Sequence, residues 1–429
     1  MPANRTLLVG VVLVAVICIA IFVIRPFNQQ GPEQEGVVEL LFWHTYSVHE
    51  ANRARELFDE FEAQNPKIKV KMEYVPYHAL RTKLLTYLAV GEAPADLIRL
   101  DIIYVPELAN MSVLLPLDDY LDTLGVGAQD FYPGPWATVL WENHVWGLPL
   151  NTNTQVLFYR KDYFEAEGLS PPTTWEEFLE VARKLTKDLD GDGKIDRWGG
   201  TVGGDWSWHF DIWLWQNGGA ELSPDMKRAV INETPGVEAL TFLVDMIHKD
   251  KVVPPPEEWM MPYQGFALGY YSMIIEGPWA KELMMTVNSS VDTYMGVAPL
   301  PSGPVKEASI VGGEDLVIPK YVKNKEAVLK LVKFMMSEHF QLEMGKVGVL
   351  PTLKAAGENP YFTEDPYLSV FIRQMSTALP RAVHPAYGQM NDIIHNYLDA
   401  AFRLDMSPRE ALDTMAAEID KLLGAEGHG

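Results

Sequence analysis

Hydrophobic and polar positions change period repeatedly along this chain, and the changes divide it into strands and helices. Residues 37–44 read as a first strand. Residues 50–64 place Ala54, Leu57, Phe58 and Phe61 at helical spacing until Asn65-Pro66 ends the run. Residues 68–74 alternate as a second strand, 77–90 are helical, and 97–100 form a third short strand. This strand–helix alternation predicts a mostly parallel sheet flanked by helices, with ligands beyond the carboxyl ends of its strands. That rule selects residues 43–47 and 101–104.

The next stretch breaks the alternation. Residues 148–150 and 156–159 are apolar, yet residues 151–155 between them are five short polar residues in a row. A strand that turns polar in mid-course is crossing something wet. Residues 310–318 repeat the design with Gly312-Gly313 at the centre, where glycine lets backbone approach a ligand, flex as a hinge or form a β-bulge. Between the two lie a helix over 175–186, capped by Thr173 or Thr174 with Glu176 and Glu177 in its first turn, and strands over 271–275 and 294–298. The chain finishes in helices over 367–377, 390–404 and 408–423.

Composition narrows the chemistry. With 429 residues, 48% of them hydrophobic, the chain can bury a large core in two or three domains. A formal charge of -23 excludes nucleic acid as a partner and argues against acidic ligands. A single cysteine excludes an intrachain disulfide and any cysteine-rich zinc site. Residues 7–24 carry no charge, and a helix of that length spans about 27 Å, close to a bilayer core. Arg5 precedes the run and Arg25-Pro26 stops it, so residues 1–36 read as a membrane anchor or a signal segment followed by a polar tether. Small residues for cleavage are missing near its end, and Cys18 lacks the preceding small residue that a lipoprotein signal requires. Either way the body lies outside the cytoplasm.

Two clusters suggest ligands. Asp188, Asp190, Asp192, the Lys194 carbonyl and Asp196 match the first nine positions of an EF-hand loop, but Gly199 stands where the bidentate acid belongs. A structural calcium ion is the expected occupant, and a bare acidic turn is the alternative. Residues 206–215 hold four tryptophans. Trp206 and Trp208, at the entrance of a helix, are the expected sugar platforms, since indole faces pack on the apolar faces of sugar rings. Trp279 follows a strand and a Gly-Pro turn, where a second sheet presents ligands. No nucleophile elbow, phosphate loop, dinucleotide fingerprint or zinc-helix motif is present. Asp101, Asp205, Asp211 and Glu276 are acids that a glycosidase could use, but nothing in the sequence pairs them.

From residue 37 to the last helix the chain resembles the family 1 extracellular solute-binding proteins of ABC sugar importers, which include maltose, trehalose and glycerol-phosphate binders. The resemblance is carried, in order, by Leu41-Phe42-Trp43-His44-Thr45, Ala95-Asp96-Leu97-Ile98, Leu115-Pro116-Leu117-Asp118, Pro149-Leu150-Asn151 with Leu157-Phe158-Tyr159, Thr174-Trp175-Glu176-Glu177-Phe178, Glu276-Gly277-Pro278-Trp279, Gly312-Gly313, and Arg381 with Pro385 and Tyr387. It implies a two-lobed α/β periplasmic-binding-protein fold, each lobe a mostly parallel sheet flanked by helices, joined by several crossovers. An N-lobe of 37–150 with about 314–352 would face a C-lobe of 151–313 with about 366–429. The third crossover is expected within 351–365. Carried over by residue, ligand contacts fall on Trp43, His44, Tyr46, Asp101, Asn151, Asn153, Trp279, Gly312, Gly313, Arg381 and Tyr387. The implied function is capture of a neutral di- or oligosaccharide outside the cell and delivery to an ABC permease, by a monomer that needs no cofactor. The alternatives are a secreted carbohydrate-active hydrolase, a glycerol-phosphate binder of the same fold, and a sensory module.

Overall fold

The computed structural model describes residues 36–88, 90–204 and 207–426. The apolar run 7–24 with Cys18, most of the tether, and Trp206 and Asp205 lie outside the described residues. Residues Glu39–Gly429 form one compact unit. Its first sheet takes β1 Val38–His44, β2 Ile68–Tyr74, β3 Leu97–Asp101 and β4 Leu148–Asn153; its second takes β5 Val156–Arg160, β6 Met273–Glu276 and β7 Met295–Ala298; β8 Gly312–Val317 returns to the first. The strand orders are β2-β1-β3-β8-β4 and β6-β5-β7.

The helices start where the sequence provides partners for their free N–H groups. Ser47 caps helix Val48–Gln64 through a capping box with Glu50, and Thr174 caps helix Trp175–Leu185 by accepting from the Glu177 N–H at 3.2 Å. Trp175, Phe178, Val181, Ala182 and Leu185 turn one face of the second helix into the core. Helix Ser207–Gln216 is buried on every side from Phe210 onward, so Trp213 and Trp215 both serve as core. Gly218, at φ +83°, ends it in the left-handed conformation.

The two-lobed α/β fold is present, but strand direction departs from the mostly parallel expectation. β1 and β3 are parallel, whereas β8 is antiparallel to both β3 and β4, and β5 is antiparallel to both of its neighbours. The cause lies in the crossovers. β4 runs into β5 with only Thr154 and Gln155 between, so one extended segment leaves the first sheet and enters the second. β8 brings the chain back alongside β4 and must point the other way. Segment 350–353 is tied to the same place: Thr352 Oγ1 donates to the Pro149 carbonyl at 2.6 Å, and the buried Gln341 side chain accepts from the Thr352 and Leu353 N–H groups, each at 2.9 Å. A few residues later Phe362, Val370 and Phe371 pack against Phe158 of the second sheet.

Candidate ligand-binding site

Three strand ends meet in register at the crossovers, Glu314 of β8 standing opposite Asp101 of β3 on one side and Asn151 of β4 on the other. Asp101, Asn153 and Gly312 to Glu314, on these strands, form the floor of a cleft of about 610 Å³, within the range of small-molecule sites. Gly312 and Gly313 lie on that floor because nothing larger fits. An added Cβ at Gly312 would strike Asn153 Oδ1 and the Trp208 ring, and one at Gly313, whose φ is +126°, would strike the Asn151 carbonyl.

The walls come from the helix starts and loops around these strand ends. Tyr77 opens helix Tyr77–Leu88 and donates its hydroxyl to Asp101 Oδ2 at 2.7 Å; Asp101 also accepts from the Ile103 N–H at 3.0 Å, which fixes the carboxylate. Tyr104 follows on the turn after β3. Trp208, in the first turn of helix Ser207–Gln216, and Trp279, just beyond β6, set their rings 6.3 Å apart at 39°. The Arg381 guanidinium lies 5.1 Å over the Trp208 ring and 5.6 Å over that of Tyr387. Asn391 and Asp392, in the first turn and a half of helix Tyr387–Phe402, complete the lining.

The polar groups are unevenly satisfied. Asn153 Oδ1 and Arg381 Nε are buried with no hydrogen-bond partner among the described residues, one an acceptor and the other a donor. Burial works to lower the Arg381 pKa, but Tyr387, Asp101, Tyr77 and Asp211 around it carry the balance upward, so it stays charged. Burial raises the Glu314 carboxyl while Arg99 opposes the rise, its guanidinium donating to Glu314 at 2.7 Å and to Asn151 Oδ1 at 3.1 Å and also bonding Thr45. Glu276, buried at the end of β6, is pushed up to about 7 by desolvation.

The profile of the bacterial extracellular solute-binding proteins matches residues 48–341. The chain belongs to that family. A maltose-bound MalE3 from T. maritima is similar, with a TM-score of 0.76 at 29% identity over 90% of this chain and 100% of that one. The arabinooligosaccharide-binding protein of Bacillus subtilis is 24% identical over 91% of this chain and 94% of its own length. The sn-glycerol-3-phosphate-binding periplasmic protein of Escherichia coli is 24% identical over 91% and 93%. Family and fold are those of solute-binding proteins rather than enzymes.

In this solute-binding protein the structure gathers Asp101, Asn153, Trp208, Trp279, Gly312, Gly313 and Arg381 around one cleft. It places five other expected contacts elsewhere. Trp43 is 1% exposed, packed with Leu80, Leu84 and Ile98, with Lys83 Nζ 4.0 Å above its ring. His44 is buried, its Nδ1 accepting from the Tyr46 N–H at 3.2 Å, and burial first, then Arg99, lowers its pKa to about 4. Tyr46 lies beneath Arg99 at 4.4 Å. Asn151 is used up by Arg99 and by its 2.7 Å bond to Glu314. Tyr387 is fully buried behind Arg381 and donates to Ser207 Oγ at 3.0 Å. Tyr104 falls in the stretch 101–104 that the strand-end rule selects, whereas Tyr77, Glu314, Asn391 and Asp392 were not expected. Of these four Glu314 had a signal in the sequence, its position directly after Gly312-Gly313.

The acidic loop is partly assembled. Oxygens of Asp188, Asp190 and Asp196 lie within 4.8 Å of one another, on a loop turned by Gly191 at φ +78° and Gly193 at +91°. Asp192 instead accepts from the Lys194 N–H at 2.8 Å and does not join the cluster. Gly199 is pressed against the Ala182 carbonyl, so the twelfth position has no room for the missing acid. Among the described residues no helix is long and apolar enough to cross a membrane.

Proposed function

We propose that this protein is the extracellular binding subunit of an ABC importer and that its cleft holds a neutral di- or oligosaccharide. The observation that carries the reading is the pairing of two adjacent indoles with an unpartnered acceptor, Asn153 Oδ1, and an unpartnered donor, Arg381 Nε, in one 610 Å³ cleft. Indoles bury the apolar faces of a sugar ring, and its hydroxyls serve as donor and acceptor together. Asp101, Glu314 and Asp392 outnumber Arg381 in the lining, which favours a neutral polyol over a phosphorylated one. Closure of the lobes about β4–β5 and β8 would then cover the sugar and form the surface read by the permease. The lobe boundaries near 150 and 314, an anchoring role for residues 7–24 and a monomeric state belong to the same reading.

Thermal unfolding of residues 37–429 against a panel of sugars tests it. One neutral oligosaccharide is expected to raise the midpoint, by about 2.7 kcal/mol of stability at a hundredfold excess over its dissociation constant, and to be recovered intact. Trp279, 38% exposed, is expected to weaken that sugar about tenfold when changed to alanine, with little change in the ligand-free midpoint. A shift with glycerol phosphate and with no sugar rejects the ligand class; turnover of the sugar rejects the transport role.

We also propose a calcium ion at Asp188, Asp190 and Asp196, stiffening the loop between helix Trp175–Leu185 and the segment that leads to Trp208. Millimolar calcium is expected to raise the unfolding midpoint relative to chelator, and Asp190→Asn to abolish the difference. Equal midpoints with calcium and with chelator reject the ion.

A further inference from the structure

Behind the cleft wall two acids are buried, Asp211 at 0% exposure and Glu221 at 3%. Both oxygens of Asp211 and Oε1 of Glu221 meet no donor, and Glu221 Oε2 alone is satisfied, by the Ala382 N–H at 2.8 Å. The two carboxyls are within hydrogen-bond reach of each other. Two ionised neighbours left so short of donors would be costly, and a single proton between them relieves the repulsion and supplies a donor. Burial first, then the charge of Glu221, pushes Asp211 well above the carboxylate range. Burial raises Glu221 too, against the pull of the Ala382 N–H, Tyr387 and Asp211. Both acids are thus raised, and the pair holds one proton between its two carboxyls.

A chain of hydroxyls runs from this pair to the cleft. Tyr387 lies beside Glu221 without bonding it and donates to Ser207 Oγ at 3.0 Å; Ser207 donates to Asn391 Oδ1 at 2.6 Å; Asn391 lines the cleft. The tyrosine has one hydrogen to give. While the pair keeps its proton, that hydrogen serves Ser207, the serine hydrogen serves Asn391 Oδ1, and the Asn391 amide nitrogen is left to donate into the cleft. When the proton leaves to solvent, Glu221 takes the tyrosine hydrogen and Ser207 donates to the Tyr387 oxygen. Asn391 must then turn its nitrogen to Ser207 and its oxygen to the cleft.

We propose that ligand capture is proton-linked: Asp211 and Glu221 share one proton, and Tyr387 and Ser207 transmit its presence to Asn391, which offers the ligand donors with the proton and an acceptor without it. The proposal rests on the reading that this cleft holds the sugar. Asp211, Glu221, Tyr387 and Ser207 are positioning residues. The titratable groups facing the pair are Arg381, from the segment before helix Tyr387–Phe402, and Tyr387 at its start; Arg381 is in turn faced by Asp101 and Tyr77.

Two titrations test it, one of them without ligand. Since both acids are raised in the folded state, their contribution to stability is complete below the ordinary carboxylate range and is lost as pH rises through their folded values. The wild-type unfolding midpoint is expected to fall as pH rises from 5 to 9, and that of Asp211→Asn, whose amide donates to Glu221 at every pH, to fall less. If Asp211→Asn does not fold, Glu221→Gln gives the same comparison. A wild-type slope that both variants reproduce overturns the shared proton. The affinity for maltotriose, or for whichever panel sugar binds, is expected to change at least threefold across the same interval in wild type and to stay level in the variant. A level wild-type affinity overturns the link to Asn391. Binding of no sugar at any pH rejects the proposed function and that link together, while the ligand-free titration still decides the shared proton.

Discussion

Arg99→Met is expected to lower the stability of this protein by about 3–5 kcal/mol near neutral pH, the usual cost of removing one partner of a buried ion pair. Arg99 has 6% of its side chain exposed and Glu314 16%, and the guanidinium joins three strands by bonding Asn151 of β4, Glu314 of β8 and Thr45 after β1. Methionine fills much of the volume, so the loss reports the charge and its bonds rather than a cavity. The pH dependence identifies the cause. Burial raises the Glu314 carboxyl and Arg99 holds it down, so in the variant it rises further. A buried acid raised in the folded state is destabilising once it must ionise, and the deficit should grow from pH 5 to pH 8. Denaturant unfolding of both proteins at the two pH values measures it; a deficit independent of pH removes Glu314 from the explanation.

Gly313→Ala is expected to cost about 3 kcal/mol and to weaken any ligand held in the cleft. Glycine holds φ at +126° there, a conformation that strains other residues by about 1–3 kcal/mol. The new methyl would also overlap the Asn151 carbonyl, which pairs β4 with β8. The only relief is to push apart the two strands that pass between the sheets. Gly168→Ala is the control. Its φ is +65°, but an added Cβ meets nothing within 4 Å, so it carries backbone strain without overlap and should cost about 1–2 kcal/mol. Equal losses at the two sites would mean that the close approach of β4 and β8 has no energetic consequence.

How much of this was legible in the sequence depended on whether burial had a direction. Helix Val48–Gln64 and strand Ile68–Tyr74 each bury one side, so their periods were clear. β1 is buried on both faces from Phe42 to His44, and alternation there could not separate the core-facing Trp43 from a ligand-facing residue. Asp101 and Tyr104 were found because the strand-end rule points to both. Tyr77, Asn391 and Asp392 reach the cleft from helix starts whose placement is set by tertiary packing. Arg381 and Tyr387 share one short motif, yet only the arginine lines the cleft; the tyrosine's hydroxyl is turned to Ser207 inside the core. Strand direction was misjudged in both sheets because local patterning does not register that β5 continues β4 and that β8 returns alongside it.

The insertion of β8 between β3 and β4 also sets an order of events during synthesis. When residues 97–153 have been made, β3 and β4 exist as sequence but lack the strand that separates and pairs them. That strand arrives about 160 residues later, after the whole second sheet has been translated. A nascent chain stalled before residue 312 should therefore hold its first sheet incomplete and remain open to proteases and chaperones. Release of residues 312–317 would let the first sheet close in one step.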